Sequence, residues 1–97
     1  MSYMRVQVIE IPLSWSETMK MFRKRVEPAL NALKKQKIVS SWSLVQTGGQ
    51  SSVVIVEFYT KAKMNQYLKT MSGLREDIRA DTGMQNWIYH GPVKASG

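Results

Sequence analysis

The chain has 97 residues, 43% of them hydrophobic and 22% charged, the balance of one ordinary globular domain. It has no cysteine and one histidine, which excludes disulfides, thiolate metal centres, a cysteine nucleophile and any multi-histidine metal site built from one chain. Fourteen basic residues against seven acidic ones leave a formal charge of +7; no apolar run approaches the ~18 residues of a membrane span, and Met1–Arg5 lack the pattern of a signal peptide, so a cytoplasmic location is expected.

The first periodic segment is Met4–Ile11. Met4, Val6 and Val8 alternate with Arg5 and Gln7, and Ile9 and Ile11 continue that second face, so the segment is predicted as a strand. Pro12 cannot donate to a ladder and ends it. A helix is predicted over about Ser16–Gln36, with Ser14 and Glu17 at capping-box spacing and Ser16 as the other candidate cap. Trp15, Met19, Phe22, Val26, Ala29, Leu30 and Leu33 recur every three or four residues on one face. Pro28 lies inside this pattern, removes a donor and predicts a kink or short break.

Ile38–Gln46 reads as a second strand, with Ile38, Trp42 and Leu44 on one face and Val39 and Val45 on the other. Thr47–Ser51 is a glycine-bearing turn, and Ser52–Tyr59 is the strand that completes a hairpin. Thr60 caps a second helix, in which Met64, Tyr67, Leu68, Met71, Leu74 and Ile78 keep helical spacing across Gly73 to about Ala80, with Gly83 near the C-cap. Met84–His90 is the last strand, closed by Gly91-Pro92, and 94–97 form a loose tail to a single domain spanning 1–97.

The order β-α-β-β-α-β predicts an α+β, ferredoxin-like fold. Right-handed crossovers give a four-stranded antiparallel sheet of order 4-1-3-2, with both helices on one face. The uncovered face should be polar in a monomer. Instead both faces are apolar: Val54, Val56 and Phe58 oppose Val53, Ile55 and Tyr59, and Trp87 and Tyr89 oppose Ile88. The expectation is a homodimer formed sheet against sheet, burying roughly 1,500–2,500 Å² in total.

Element order, length, the Thr47–Ser51 hairpin before Val53–Tyr59 and the closing Gly91-Pro92-Val93 together resemble the dimeric α+β barrel superfamily, which includes the antibiotic-biosynthesis monooxygenase-like domains. The resemblance covers about Met4–Val93 and implies dimerisation. For some members it also implies oxygenation of aromatic substrates without metal or flavin, in a pocket between sheet and helices. On this pattern His90 is the candidate catalytic residue, and Trp15, Met19, Phe22, Trp42, Tyr67, Met71 and Trp87 are candidates to line a cavity for an apolar or amphiphilic small molecule. No cofactor and no metal are expected. Haem-degrading members carry an Asn on the first strand and a His on a helix, and this chain has neither. Glu76 and Asp77 are adjacent on a helix and face apart, and Gly48-Gly49 joins two strands rather than a strand and a helix, so neither carboxylate-pair catalysis nor a phosphate loop is indicated.

The charge is concentrated. From Glu17 to Lys37 there are seven basic and two acidic residues, a net +5 of the +7. A basic helix raises weak nucleic-acid binding as one reading, and the RNA-recognition module shares this element order. Its third-strand signature is not met: the basic residue and glycine are missing, and the aliphatic Val53 and Ile55 stand where bases would stack. The sequence therefore favours a dimeric small-molecule binder, with oxygenase-type activity as its enzymatic form. A non-enzymatic interaction dimer is the alternative.

Overall fold

The computed structural model describes residues 2–97; Met1, part of the N-terminal stretch considered above, lies outside them. The elements are β1 (Tyr3–Glu10), α1 (Trp15–Met21), a π-helical segment (Phe22–Val26), α2 (Glu27–Lys35), β2 (Val39–Gln46), β3 (Ser51–Phe58), α3 (Lys61–Thr82) and β4 (Gln85–Pro92). The strands form one antiparallel sheet ordered β2-β3-β1-β4, the ferredoxin-like arrangement, with β1 and β3 central.

The first helical run starts where the capping box placed it. The Ser14 hydroxyl accepts from the Glu17 amide, and the same hydroxyl donates to the Glu17 carboxylate. The kink expected at Pro28 takes a specific form. Proline has no amide hydrogen, and its ring crowds the carbonyl four residues back, that of Lys24. The turn before it widens, so that the Glu27 amide donates to the Phe22 carbonyl, five residues back. The run ends at Lys37, which takes φ 61°, with the Ile38 amide donating to the Leu33 carbonyl. α3 runs unbroken through Gly73 from its Thr60 cap, and Gly83 ends it at φ 71°.

Two expectations need correction. Simple alternation along β2 predicts Val39 on the face opposite Trp42; a bulge between Val39 and Ser41 inserts an extra residue, so Val39 pairs with Phe58 and is buried on the same side as Trp42 and Leu44. β4 does not close at Gly91-Pro92 but runs through them: Gly91 pairs with Met4 and Pro92 with Tyr3. β4 is an edge strand with a free outer side, where a residue lacking a donor is tolerated.

The core lies between sheet and helices. Phe22, Leu30, Leu33, Val39, Val54, Val56, Phe58, Met64, Tyr67 and Met71 form its main cluster, and Ile11, Ile78 and Met84 a smaller one at the other end. Among the described residues, no element covers the opposite face of the sheet. By register it carries Met4, Val6 and Val8 of β1, Val53, Ile55 and Glu57 of β3, Val45 of β2, and Trp87 and Tyr89 of β4. Trp87 and Tyr89 are 45% and 63% exposed.

Candidate ligand cavity between helices and sheet

A cavity of about 70 Å³ lies at the junction of the two core clusters. Its walls are mainly apolar, drawn from β1 and Ile11, from Met21, Phe22 and Val26 of the first helical run, from β2 and β3, and from α3. The widened turn before Pro28 thus supplies part of the wall, since Phe22 and Val26 belong to it.

Within this apolar wall stands Arg5, 1% exposed, on the helix-covered face of central strand β1. Its Nη1 donates to Gln7 Oε1 at 3.0 Å, and its guanidinium lies 5.6 Å from the centre of the Tyr67 ring. Nε and Nη2 are buried without a hydrogen-bond partner. Burial lowers the Arg5 pKa, with nearby Arg75 acting the same way; an arginine starts so high that it stays cationic at neutral pH. Burial raises the Tyr67 pKa, against the pull of the two arginines. Phe58 holds the Tyr67 ring edge-on at 5.1 Å, which fixes the face presented to Arg5. Thr18, Ser52 and Arg75 complete the polar part of the wall.

The residues singled out from the sequence divide. Phe22, Tyr67 and Met71 line the cavity. Trp42 stands behind the wall: its Nε1 donates to Asn31 Oδ1 at 3.0 Å and its ring packs on Phe22 at 5.7 Å. Trp15 and Met19 are half-buried on α1 and contribute nothing to the wall. Trp87 lies on the uncovered face of the sheet. His90 stands opposite Arg5 in the β1–β4 register but is exposed on the edge strand, outside the cavity. The helices pack over β2 and β3, which leaves β4 bare.

The sequence reading passed over Arg5. A signal was there: Arg5 and Gln7 share a face with Ile9 and Ile11 on a strand predicted to be central, so that face is a covered one. The basic residues of the first helical run are largely exposed, and Arg25 pairs with Asp81 of α3 at 2.9 Å. Among the described residues no helix is long and apolar enough to cross a membrane, and no group of side chains is placed to hold a metal ion.

No family model matches the sequence, and no curated protein does. Solved structures do match. A dimeric ferredoxin-like protein from an uncultured marine organism superposes with a TM-score of 0.81 at 8% identity, over 98% of this chain and 97% of its own. SnoaB, a cofactor-independent oxygenase from Streptomyces nogalater, gives 0.74 at 10% identity, over 98% and 95%. A putative antibiotic biosynthesis monooxygenase from Nitrosomonas europaea gives 0.67 at 14% identity, over 98% and 94%. The chain therefore has the ferredoxin-like fold shared by dimeric proteins of this kind and by antibiotic-biosynthesis monooxygenase-like proteins.

Proposed function

We propose that the protein is a homodimer, packed through the uncovered face of its sheet, that binds a small apolar or amphiphilic molecule in the cavity between helices and sheet. The observation that carries the binding half is the cavity itself, apolar in its walls and holding a buried cation with unused donors. The observation that supports the dimer half is the band of Met4, Val6, Val8, Val53 and Ile55 flanked by exposed Trp87 and Tyr89. The dimeric and oxygenase descriptions of the similar structures are consistent with both halves.

The chemistry of the wall favours binding over proton abstraction. Among the described residues, neither a carboxylate nor an imidazole contributes to it. The one wall group able to accept a proton after ionising is the Tyr67 phenol, and burial holds it protonated. A buried guanidinium is suited to stabilising negative charge on a bound oxygen, which an oxygenase acting on a substrate carbanion would also use.

The second reading is a non-enzymatic dimeric module with a filled core. The volume of about 70 Å³ favours it, being well below the ~300 Å³ at which drug-sized sites begin. Native mass spectrometry of the purified protein, alone and with a panel of small aromatics and fatty acids, tests the proposal. The expected result is a dimer that takes up one small molecule per chain; a dimer that takes up none supports the second reading, and a monomer removes the sheet-to-sheet interface.

A further inference from the structure

Among the described residues, the cavity wall carries two positive charges and no negative one. Arg5 and Arg75 both line it, and neither Asp nor Glu does. Removing a guanidinium from water without an anionic partner is costly, because the hydration given up is not replaced. What replaces it here is slight: one amide oxygen and the face of a tyrosine ring. A second copy packed on the uncovered face of the sheet cannot supply the missing anion, since the sheet lies between that face and Arg5.

The identity of the unpartnered atoms is informative. Nε and Nη2 are adjacent donors on one edge of the guanidinium, and their N–H bonds run side by side. That fork matches the two oxygens of a carboxylate, each accepting one hydrogen bond. The remaining edge is tied down through Nη1 to Gln7, and one flat face rests on Tyr67. The guanidinium is thus already oriented, so little rotamer freedom is left to lose on binding.

Resting on the reading that this cavity is a ligand site, we infer that its ligand is a small apolar carboxylate. Its two oxygens are received by Arg5 Nε and Nη2, and its hydrocarbon body lies against Ile9, Phe22, Val26 and Met71. The volume sets the size. A cavity of about 70 Å³ is under half the ~150 Å³ that accommodates benzene, so an acid of two or three carbons, acetate or propionate, is the size that fits. Arg75, at the wall from α3, adds a second positive charge that draws the anion in and repels cations.

The test is a titration of the protein at neutral pH with matched pairs: acetate against acetamide, propionate against propionamide, and benzoate against benzamide. Binding is read from heteronuclear NMR shifts. Each acid that fits is expected to bind at least about tenfold more tightly than its amide. The largest shifts should fall at Arg5, Gln7 and Tyr67, and benzoate should bind more weakly than the short chains. In Arg5→Met the preference for acid over amide should disappear while the amide still binds. Equal binding of acid and amide by the wild-type chain overturns the carboxylate inference but leaves the cavity as a ligand site. So does an acid preference that survives in Arg5→Met. If neither acids nor amides perturb the cavity residues, the ligand-site reading falls with it. The acid-to-amide comparison on the wild-type chain needs no variant to fold.

Discussion

The two faces of the sheet depart from simple hydrophobic partitioning in opposite directions. The helix-covered face buries an arginine at 1% exposure and Gln7 beside it, among aliphatic and aromatic side chains. The uncovered face leaves Trp87 and Tyr89 exposed beside Met4, Val6, Val8, Val53 and Ile55. Both faces come from the same strands, so alternate residues of β1 and β3 serve two different environments. A buried charge without a counter-charge points to a small partner that supplies one. An exposed apolar surface points to a large partner that removes it from water. The two anomalies therefore ask for different experiments, and each leaves the other face intact.

The largest effects should come from exchanging the character of one face for the other. Ile55→Asp places a carboxylate in the middle of the uncovered face, between β1 and β2. If that face is the dimer interface, an unpaired buried charge there costs about 3–5 kcal/mol, more than a hundredfold in dimer affinity. Light scattering coupled to gel filtration should then find a folded monomer; an unchanged dimer would place the interface elsewhere. On the covered face, Phe58→Ala removes a ring that is fully buried and holds Tyr67 edge-on. The expected loss is about 3–5 kcal/mol in urea unfolding. Its signature differs from that of Ile55→Asp: the mutational loss should persist at protein concentrations that keep the chain dimeric, whereas the interface defect shows itself on dilution.

Arg5→Met is the intermediate case, and its sign is what matters. A structural arginine would be missed, and its loss would lower stability. An arginine held ready for an anion is instead a cost to the unliganded protein. Methionine keeps most of the apolar stem and removes the desolvated charge, at the loss of one hydrogen bond to Gln7 and the contact with Tyr67. The expected outcome is a gain of about 1 kcal/mol in urea unfolding without ligand. A clear loss would mean that Arg5 is satisfied as it stands.

Most of the architecture was legible in the sequence because period and punctuation agreed. Alternation in Met4–Ile11, the capping box from Ser14, the glycine turn before Val53 and the Thr60 cap each specify an element independently of the rest. What escaped was non-local. The bulge that turns Val39 to the covered face depends on pairing with β3, and no residue type announces it. The extension of β4 through Pro92 depends on its being an edge, which only the assembled sheet decides. The cavity was expected between helices and sheet, and Phe22, Tyr67 and Met71 do line it. Its polar centre was legible only indirectly: Arg5 between Met4 and Val6 has the same alternation whether its face is solvated or covered, and only Ile9 and Ile11 further along mark that face as a covered one.

The smallest expected effect separates the Tyr67 hydroxyl from its ring. Burial is the main cause of the raised Tyr67 pKa, and Arg5 and Arg75 oppose it. The folded state therefore holds the phenol proton more firmly than the unfolded chain does. A group raised on folding contributes stability that is fully present below its unfolded value, about 10 for tyrosine, and is lost as the pH rises through the higher folded value. Tyr67→Phe keeps the ring against Phe58 and Arg5 and removes this titration. Urea midpoints measured from pH 8 to 11 should fall more steeply above about pH 10 in the wild-type chain than in Tyr67→Phe. Lysine titration acts on both chains and drops out of the difference. Parallel curves would mean that the phenol ionises in contact with water, and that the covered face is more open at Arg5 and Tyr67 than its packing implies.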